Sequence, residues 1–305
     1  MSQPILVTGA HRTGTTWVGR MLAAGRGVAY ISEPLNVLHR PGVFRAPVSK
    51  WYTLINEENE SAYLPAFREM LAFRYGVWRE IRALRSAKDV VRMGRDLTSF
   101  LRGRLTGQRV LIKDPFAVFS AAWFAQRLDC LVVFTTRHPA GFASSLKRLN
   151  WPFDFKDLLD QPLWVRDLLE EDRTAMESIS MDDTLGQAAL LWRVIYRSVA
   201  RMVNLHPSFI MVRHEDLSLD PVNGFGSLYK KLGLDFTPKV EETILKASSS
   251  ENPDELSTKK VHSVKLDSRA NIDNWKKRLS AQEIQYIREI TGEVAELCYP
   301  DAEWN

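Results

Sequence analysis

Near its N-terminus the chain carries a loop whose residues are typical of an anion-binding site. The apolar run from Ile5 to Val7 predicts a buried strand, and a helical repeat begins at Thr15, so the residues between them must turn. Gly9 and Gly14 stand five residues apart, as in loops that direct backbone N–H groups and a helix N-terminus at a phosphate. Thr15 replaces the lysine that such loops use for a nucleoside triphosphate, and Arg12 places a cation inside the loop. The loop therefore predicts a site for a 5'-phosphate-like group. Alternatively, its threonines only cap the helix.

Charged side chains also follow the second and third predicted strands. Glu33 ends the second strand, and Lys113 with Asp114 ends the third, each just before a proline. The carboxyl edge of a parallel sheet is where ligands usually bind. Transfer of an anionic group needs cations near the bridging and leaving oxygens and a base for the attacking hydroxyl. Arg12, Lys113 and Glu33 would supply these, with Asp114 as a rival base. Alternatively, the carboxylates only pair with neighbouring cations.

A second anion site is indicated by Arg137 and Ser145. Arg137 follows the most apolar predicted strand, and Ser145 lies two turns into the next helix, on the face presented to the arginine. Arginine–phosphate contacts are charge-assisted and often bidentate. An arginine at a strand end is unspecific alone, but together with the serine and the first loop it predicts a site for a 3'-phosphate.

These motifs resemble those of sulfotransferases that use 3'-phosphoadenosine 5'-phosphosulfate (PAPS). Arg12 to Trp17 is similar to the family's 5'-phosphosulfate loop, and Thr136 to Ser145 to its 3'-phosphate strand and helix. Arg213 to Leu217 resembles an Arg-Tyr-Glu-Asp-Leu stretch, and Trp275 to Lys277 resembles a C-terminal nucleotide loop that lacks its glycine-rich part. The resemblance implies PAPS as the donor co-substrate. The donor contacts that it implies are Arg12, Thr13, Gly14, Thr15, Thr16, Trp17, Arg137, Ser145, Trp275 and Lys276.

A narrower likeness concerns catalysis. The Arg-x-Gly-Thr-Thr loop, Glu33 at 21 residues after Arg12, and the stretch Lys113 to Phe116 resemble tyrosylprotein sulfotransferases and related bacterial enzymes. In those enzymes arginine, glutamate and lysine at these positions act together. Cytosolic members use a histidine base in a Lys-Thr-His strand end, which this chain lacks. The resemblance implies Glu33 as the base, with Arg12 and Lys113 steadying the sulfuryl group.

The elements that must position these residues alternate between strand and helix. Alternation of this kind predicts right-handed crossovers and a parallel sheet, hence an α/β fold. We expect one domain over residues 1–305, with helical inserts over the active site at about 49–105 and 151–183. The predicted strands are Ile5–Val7, Val28–Ser32, Arg109–Ile112, Leu131–Thr135 and Phe209–Val212.

Composition limits the class of protein. Of the 305 residues, 45% are hydrophobic and 26% are charged, and no apolar run approaches the ~18 residues that span a bilayer. No signal segment precedes Ile5, which predicts a cytoplasmic protein. Cys130 and Cys298 are expected to be reduced, and the six histidines show no metal-like spacing, so no metal site is predicted. A net charge of +4 without a basic-aromatic platform argues against nucleic acid as a partner.

The two inserts carry opposite charge. Residues 78–104 hold eight Arg/Lys against three Asp/Glu, and residues 157–183 hold nine acidic residues against two arginines. Each is most simply a solvated face. Alternatively, the basic segment forms a lid or contacts an acidic acceptor or anionic lipid, and the acidic segment pairs with it across a cleft. Peripheral membrane contact is kept open, and the sequence does not indicate an oligomeric state.

The sequence thus predicts a sulfotransferase that moves a sulfuryl group from PAPS to a hydroxyl of a small-molecule, lipid or glycan acceptor, releasing 3',5'-ADP. One alternative is a P-loop kinase or nucleotide hydrolase, against which Thr15 in place of lysine argues. The other is a non-catalytic protein that binds a phosphonucleotide, against which Glu33 and Lys113 argue. No motif names the acceptor.

Overall fold

Five parallel strands form a single sheet at the centre of the structure, a computed structural model that describes residues 2–167, 170–255, 264–300 and 304, without the side chains of residues 164, 165 and 167. Across the sheet the order is β2, β3, β1, β4, β5. The predicted α/β fold with about five parallel strands is confirmed. The strands are β1 (Ile5–Gly9), β2 (Val28–Ser32), β3 (Arg109–Lys113), β4 (Leu131–Thr136) and β5 (Ile210–Arg213).

Helices connect the strands and cover both faces of the sheet. Short 3-10 helices span Glu60–Ala62 and Pro115–Ser120. The α-helices of the described residues are α1 (Thr15–Leu22), α2 (Leu64–Leu71), α3 (Val77–Ala83), α4 (Ala87–Thr106), α5 (Ala121–Leu128), α6 (Pro139–Leu149), α7 (Lys156–Leu159), α8 (Pro162–Asp167), α9 (Glu170–Ser178), α10 (Thr184–Leu205), α11 (His214–Leu219), α12 (Pro221–Leu232), α13 (Pro238–Ser248) and α14 (Ala281–Cys298).

The strand register brings the strand ends to one edge. Gly9 at the end of β1 lies beside Thr135 of β4, and Ser32 at the end of β2 lies beside Lys113 at the end of β3. After β1 the chain continues to β2, which lies to one side of β1 within the sheet, and after β3 it continues to β4, which lies to the other side. The connections therefore diverge around β1. A divergence of this kind opens a crevice at the carboxyl edge, where ligands bind in α/β folds.

The central strand is buried on both faces, which explains its unbroken apolar sequence. Successive side chains of a strand point to opposite faces. Ile5 and Val7 pack with α1, α12 and α13, whereas Leu6 belongs to the larger core that includes α5, α6, α10 and α14. The sheet thus lies between two helical layers, which leave its carboxyl edge to carry polar residues.

The sequence predicted the strands more accurately than the helix after β3. Each strand boundary differs from the prediction by at most two residues. The sequence from Phe116 to Leu128 predicts one helix, but the segment begins as the 3-10 helix, and α5 starts at Ala121. The N–H of Phe116 donates to Oδ1 of Asp114 (2.9 Å), and Pro115 has no N–H, so the first turn is tight.

Both inserts are helical: α2, α3 and nearly all of α4 lie in the first, and α7, α8 and α9 in the second. The acidic insert pairs with arginines of α10, because Asp172 contacts Arg193 (2.8 Å) and Arg197, and Glu171 contacts Arg201 (2.6 Å). Among the described residues no ion pair joins it to the basic segment 78–104. The alternative in which the two inserts pair across a cleft therefore has no support there.

Cys130 and Cys298 are buried free thiols, as the sequence predicts. Burial raises the pKa of the Cys130 thiol to about 12, which makes its reactive thiolate scarce at neutral pH. Within the described ranges, every helix is too short or too polar to traverse a bilayer. The polar, Ser/Lys/Glu-rich sequence from Ser248 to Lys260 predicts a loop, and its positions 256–260 lie outside the described residues.

The close approach of β1 to β4 generates a stability prediction. A Cβ on Gly9 would lie 2.3 Å from the carbonyl oxygen of Thr135, and Gly9 also has φ +138°. Gly27 has φ +82° but no atom within 4 Å of its Cβ position, so it is a matched control for backbone strain alone. We expect Gly9→Ala to lower the free energy of unfolding by at least about 3 kcal/mol and Gly27→Ala by about 1–2 kcal/mol, as measured by urea denaturation. Equal losses would contradict the steric explanation.

Candidate active site

The loop after β1 is held in an unusual backbone conformation. Gly14 is the N-cap residue of α1 with φ 91°, and the N–H of Val18 donates to its carbonyl oxygen (2.9 Å). Arg12 has φ 69°, a left-handed conformation that costs energy for a residue with a Cβ. A Cβ on Gly14 would lie 2.8 Å from Nδ1 of His214. The positive φ angles and the close approach of His214 therefore define one conformation for the loop and the start of α1.

Two tyrosines from distant elements hold this loop. The N–H of Ala10 donates to the hydroxyl of Tyr196 in α10 (3.3 Å). The N–H of His11 donates to the hydroxyl of Tyr52 (3.4 Å), which also lies 2.6 Å from Nδ1 of His11. Both tyrosines are fully buried. The loop thus depends on the first insert and on α10, although neither has an anion-binding motif.

Glu33 and Lys113 form an ion pair at the carboxyl edge. The N–H of Glu33 donates to the carbonyl oxygen of Lys113 (2.7 Å), and Oε2 of Glu33 accepts from the amide of Asn36 (2.7 Å). Lys113 is only 2% exposed, whereas Glu33 borders a large cavity. Glu33 also has φ 53°, so its backbone is strained like that of Arg12. Of the two partners, the carboxylate is the one that a ligand in this cavity can reach.

Asp114 is fully buried, and backbone groups use both of its oxygens. The N–H of Leu35 donates to Oδ2 (2.6 Å), and that of Phe116 donates to Oδ1 (2.9 Å). Burial raises the pKa of Asp114 to about 7, although the two N–H donors oppose the shift. Asp114 therefore ties the end of β3 to the loop after Glu33 and does not border the large cavity.

Arginines converge on a small cavity of about 30 Å³ beside the loop. Nε of Arg12 donates to the hydroxyl of Ser145 (3.3 Å), and Arg137 donates to the carbonyl oxygen of Asn271 (3.3 Å). Nε of Arg137 is buried and has no hydrogen-bond partner among the described residues. An unsatisfied buried donor indicates a missing acceptor. The arginines that border this cavity are Arg12, Arg137, Arg148 and Arg278.

Glu255 is the carboxylate that borders this cavity, and Glu215 lies close enough to Arg137 for their charges to interact. Glu255 pairs with Arg148 (2.9 Å) and with Arg278. Burial, and then the charges of Arg137 and Arg148, lower the pKa of the Arg12 guanidinium to about 10. Positive charge therefore exceeds negative charge in the cavity, which makes it a strong site for a multiply charged anion.

A second cavity, of about 100 Å³, extends from the loop toward the C-terminal part of the chain. It adjoins the small cavity of about 30 Å³, which we call the arginine cavity, because Arg12, Arg137 and Asn271 border both. Its other walls come from α1, from α11 and from the chain between α13 and α14. They include Thr15, Thr16, Trp17, His214, Leu266 and Ser268.

A third cavity, of about 610 Å³, lies on the other side of Arg12. It is the large cavity that Glu33 borders, and we call it the aromatic cavity. It shares Arg12, Thr15 and Thr16 with the second cavity, and Glu33 borders it. Its walls are mainly apolar, and Asp154 and Asp157 are its other acidic residues. The apolar wall residues are Leu38, Trp51, Tyr52, Phe116, Trp151 and Phe153. Two cavities of different chemistry thus meet at the loop.

The sequence model of the sulfotransferase family matches residues 4–238, which include β1 to β5 and every strand end of this site. The chain belongs to the sulfotransferase family. It is therefore a transferase, as the sequence predicts. A search of curated proteins found no match.

Solved sulfotransferase structures are also similar to this one, at low sequence identity. The domain from the curacin biosynthetic pathway has a TM-score of 0.48 and 13% identity, covering 95% of this chain and 97% of its own. Sulfotransferase STF9 from Mycobacterium avium has a TM-score of 0.48 and 14% identity, covering 97% and 76%. Mouse sulfotransferase SULT7A1, complexed with PAP, has a TM-score of 0.47 and 10% identity, covering 96% and 84%. At these values none of them assigns a role to a residue here.

Most residues predicted for the donor site of this sulfotransferase lie together. Arg12, Gly14, Thr15, Thr16, Trp17 and Arg137 border the second cavity, and Ser145 borders the arginine cavity. Thr13 differs, because its hydroxyl donates to the carbonyl oxygen of Ala10 (2.6 Å) and its side chain is fully buried. Its side chain shapes the loop from the inside.

Trp275 and Lys276 do not border the three cavities. Trp275 is buried and stacks on His138, with ring centroids 5.0 Å apart. Lys276 lies over the Trp275 ring and near Asp273 (3.6 Å). The turn before α14 buries Trp275 against the start of α6. Donor contacts by Trp275 and Lys276 stay predictions from the sequence.

Sequence reasoning missed several residues that border the cavities. Arg148 stands three residues after Ser145, so helical spacing could have indicated it. Arg278 lies just beyond the Trp275 motif, whereas Ser268, Asn271 and His11 have no local signal. No group of three or more His, Cys, Asp or Glu that could hold a metal ion occurs among the described residues.

Three histidines near the site are kept neutral by their surroundings. Burial lowers the pKa of His11 and of His138 to about 4 and that of His214 to about 3, and nearby arginine charges act in the same direction. A histidine with a lowered pKa in the folded state binds its proton more readily in the unfolded chain. Stability from these groups is therefore present above about pH 6.5 and is lost as the pH falls towards 4.

His138 allows this pH dependence to be tested. Its Nδ1 accepts from the N–H of Ala140 (3.3 Å) at the start of α6, a capping role that asparagine also performs. We expect His138→Asn to be less stable at pH 7, because it loses the stacking on Trp275, but to lose less stability between pH 6.5 and 4.5. Urea denaturation across that range measures both slopes. Parallel curves for the variant and the wild type would contradict the prediction.

Proposed function

We propose that this sulfotransferase moves a sulfuryl group from PAPS to a hydroxyl of an apolar small molecule or lipid and releases 3',5'-ADP. The observation that carries the proposal is the meeting of two unlike cavities at Arg12, Thr15 and Thr16. One is lined by cationic and polar groups, and the other is aromatic and bordered by Glu33. Donor and acceptor would meet where the two cavities join.

The residues present fit the donor. The loop N–H groups and α1 offer a site for the 5'-phosphosulfate. The arginine cavity offers a second anion site, where Nε of Arg137 has no acceptor among the described residues. A 3'-phosphate carries enough negative charge to offset the excess of arginines there. PAPS supplies an activated sulfuryl group, and the chain binds and orients it.

The proposed reaction is in-line attack of the acceptor hydroxyl on sulfur. A new O–S bond forms as the bond between sulfur and the 5'-phosphate oxygen breaks, and Glu33 takes the hydroxyl proton. Protonation of Glu33 removes the charge that Lys113 pairs with. Arg12, which borders both cavities, would then offset the negative charge that develops on the leaving oxygen, and the buried ammonium of Lys113 would act on it through its field from behind Glu33. We favour Glu33 over Asp114 because backbone N–H groups use both oxygens of Asp114.

The walls of the third cavity support an apolar acceptor. Trp51, Phe116 and Phe153 offer aromatic surface, and a volume of about 610 Å³ lies within the range of small-molecule sites. Apolar side chains contribute more of the exposed wall than polar ones do, which favours an apolar acceptor over a glycan. Asp154 and Asp157 disfavour an acceptor with its own negative charge. A cytoplasmic location stays a prediction from the sequence.

Substitution of Glu33 separates a base from a binding residue. Glu33→Gln keeps the shape and can still accept from Asn36, but it cannot take a proton. We expect turnover with labelled PAPS to fall by about 100-fold or more, while the affinity for 3',5'-ADP stays within about 2-fold. Unchanged turnover would remove Glu33 from the mechanism.

Asp114→Asn is the matched control for this test. Asparagine cannot accept with its amide nitrogen, so one of the two buried N–H donors loses its partner. We expect a loss of about 1–3 kcal/mol in the free energy of unfolding, with turnover per folded molecule largely retained. If Asp114→Asn abolished turnover and Glu33→Gln did not, the roles of the two carboxylates would be reversed.

Arg137 tests the donor site. Arg137→Ala should weaken 3',5'-ADP binding by roughly 2–3 kcal/mol and leave 5'-AMP nearly unaffected, because only the former carries a 3'-phosphate. Calorimetric titration of both nucleotides measures the difference. Equal losses would mean that Arg137 only supports the fold, and thermal stabilisation by Mg-ATP in preference to 3',5'-ADP would overturn the proposed donor.

A further inference from the structure

Helix α4 is attached to the rest of the protein along one narrow face. Of its 20 residues, only Asp96, Phe100 and Gly103 are buried. Phe100 packs edge-on against the ring of Tyr75, and Asp96 pairs with Arg40. This spacing of four and three residues is that of one helical stripe. The remaining faces of α4 point away from the described body of the protein.

A second apolar stripe runs along the outward side of α4. Val90, Gly94, Leu97, Leu101 and Leu105 recur at spacings of three and four, so they share one face. Leu101 is 50% exposed and Leu105 is 84% exposed. A helix that only covers the core of its own protein needs one apolar stripe. Val90, Leu101 and Leu105 of the second stripe are exposed in the described structure.

The preceding helix adds an exposed tryptophan. Trp78 of α3 is 77% exposed, and Ile81 of the same helix is also exposed. Tryptophan is enriched where proteins meet the interface of a bilayer, because its ring is apolar and its N–H is polar. We call the exposed residues of α3 and α4 the α3–α4 surface.

The charges of the α3–α4 surface are almost all positive. The three acidic residues are occupied: Glu80 accepts from the N–H of Gly42 (2.8 Å), Asp89 pairs with Arg92, and Asp96 pairs with Arg40. Long basic side chains beside an apolar stripe can keep their charged ends at phosphate level while their stems cover apolar surface. The basic residues of α3, α4 and the turn between them are Arg79, Arg82, Arg85, Lys88, Arg92, Arg95, Arg102 and Arg104, of which Arg79 pairs with Glu69, Arg92 with Asp89 and Arg95 with Asp96.

We propose that the α3–α4 surface binds the surface of an anionic lipid bilayer. An exposed apolar stripe flanked by basic residues on a helix that lies flat is the pattern of interfacial membrane binding. Charge decides against a second copy of this chain, because a symmetric contact would bring two strongly basic faces together. The proposal does not depend on the proposed function.

The same surface is connected to the rim of the aromatic cavity. Leu38 borders that cavity and is exposed, and Arg40, two residues later, pairs with Asp96 of α4. The loop that forms the cavity rim is therefore attached directly to the inward face of α4.

Vesicle flotation with the full chain tests the proposal. We expect the wild type to float with vesicles of phosphatidylcholine that contain about one-third phosphatidylglycerol, and to bind at least about 10-fold more weakly to phosphatidylcholine alone. Raising the salt from about 0.1 M to about 0.5 M should weaken binding to the anionic vesicles, because it screens exposed charge. Failure to bind the anionic vesicles at low salt overturns the proposal.

Two variants locate the binding surface. Leu101→Glu/Leu105→Glu should bind anionic vesicles at least about 10-fold more weakly than the wild type. Arg102→Gln/Arg104→Gln should also bind more weakly, with a smaller response to salt. The matched control is Leu205→Glu/Leu245→Glu, which adds the same charge at leucines that are 76% and 49% exposed on α10 and α13. It should bind like the wild type.

Thermal melting and 3',5'-ADP binding verify that each variant folds. If the control lost as much binding as the α4 variant, net charge and not the α3–α4 surface would explain the result, and the proposal would fail. It would also fail if the wild type were a dimer without vesicles and Leu101→Glu/Leu105→Glu made it a monomer. Binding of an acidic protein, but not of anionic vesicles, would overturn it as well. Loss of vesicle binding by the α4 variant alone supports it.

Discussion

Excess positive charge at the carboxyl edge of the sheet is the constraint on which the site depends. Arg12, Arg137, Arg148 and Arg278 border one small cavity, in which Glu255 pairs with only two of them. Such charges repel one another, and the pKa of Arg12 falls to about 10 as a result of burial and of this repulsion. A multiply charged anion would offset that repulsion, so the arrangement favours anion binding.

Backbone strain lies in the same region. Among the described residues, six other than glycine have positive φ, and four of them, Arg12, Glu33, Tyr52 and Asn150, border the aromatic cavity. Asn150 follows α6, where a left-handed residue is usual. No such explanation covers Arg12 and Glu33, which follow β1 and β2. Their strain is sustained by burial of the neighbouring strands and by hydrogen bonds to distant elements, such as the one that the N–H of Ala10 donates to the hydroxyl of Tyr196.

The sequence could predict what depends on neighbouring residues. Apolar runs located all five strands, and the charged residue after each run located Glu33, Lys113 and Arg137 at one edge, since parallel strands must end together. Contacts between distant parts of the chain were beyond such reasoning. Nothing near Tyr52 indicates that its hydroxyl receives the N–H of His11, and nothing near Asn271 indicates that it meets Arg137. For the same reason the sequence predicts Trp275 as a donor contact but does not indicate that it packs on His138.

Donor and acceptor differ in how the chain encodes them, and this explains why the sequence predicted one and not the other. The donor side is built from short segments at strand ends, where a few charged residues at fixed spacing suffice to recognise two phosphate-like groups. The acceptor side is built from aromatic residues of both inserts, Trp51 from the first and Trp151 and Phe153 from the second, which meet only after folding. Apolar walls impose no spacing on the sequence, because any packing of rings that leaves a cavity will serve. Selectivity for the acceptor therefore resides in the shape of the inserts, which spacing along the chain does not reveal.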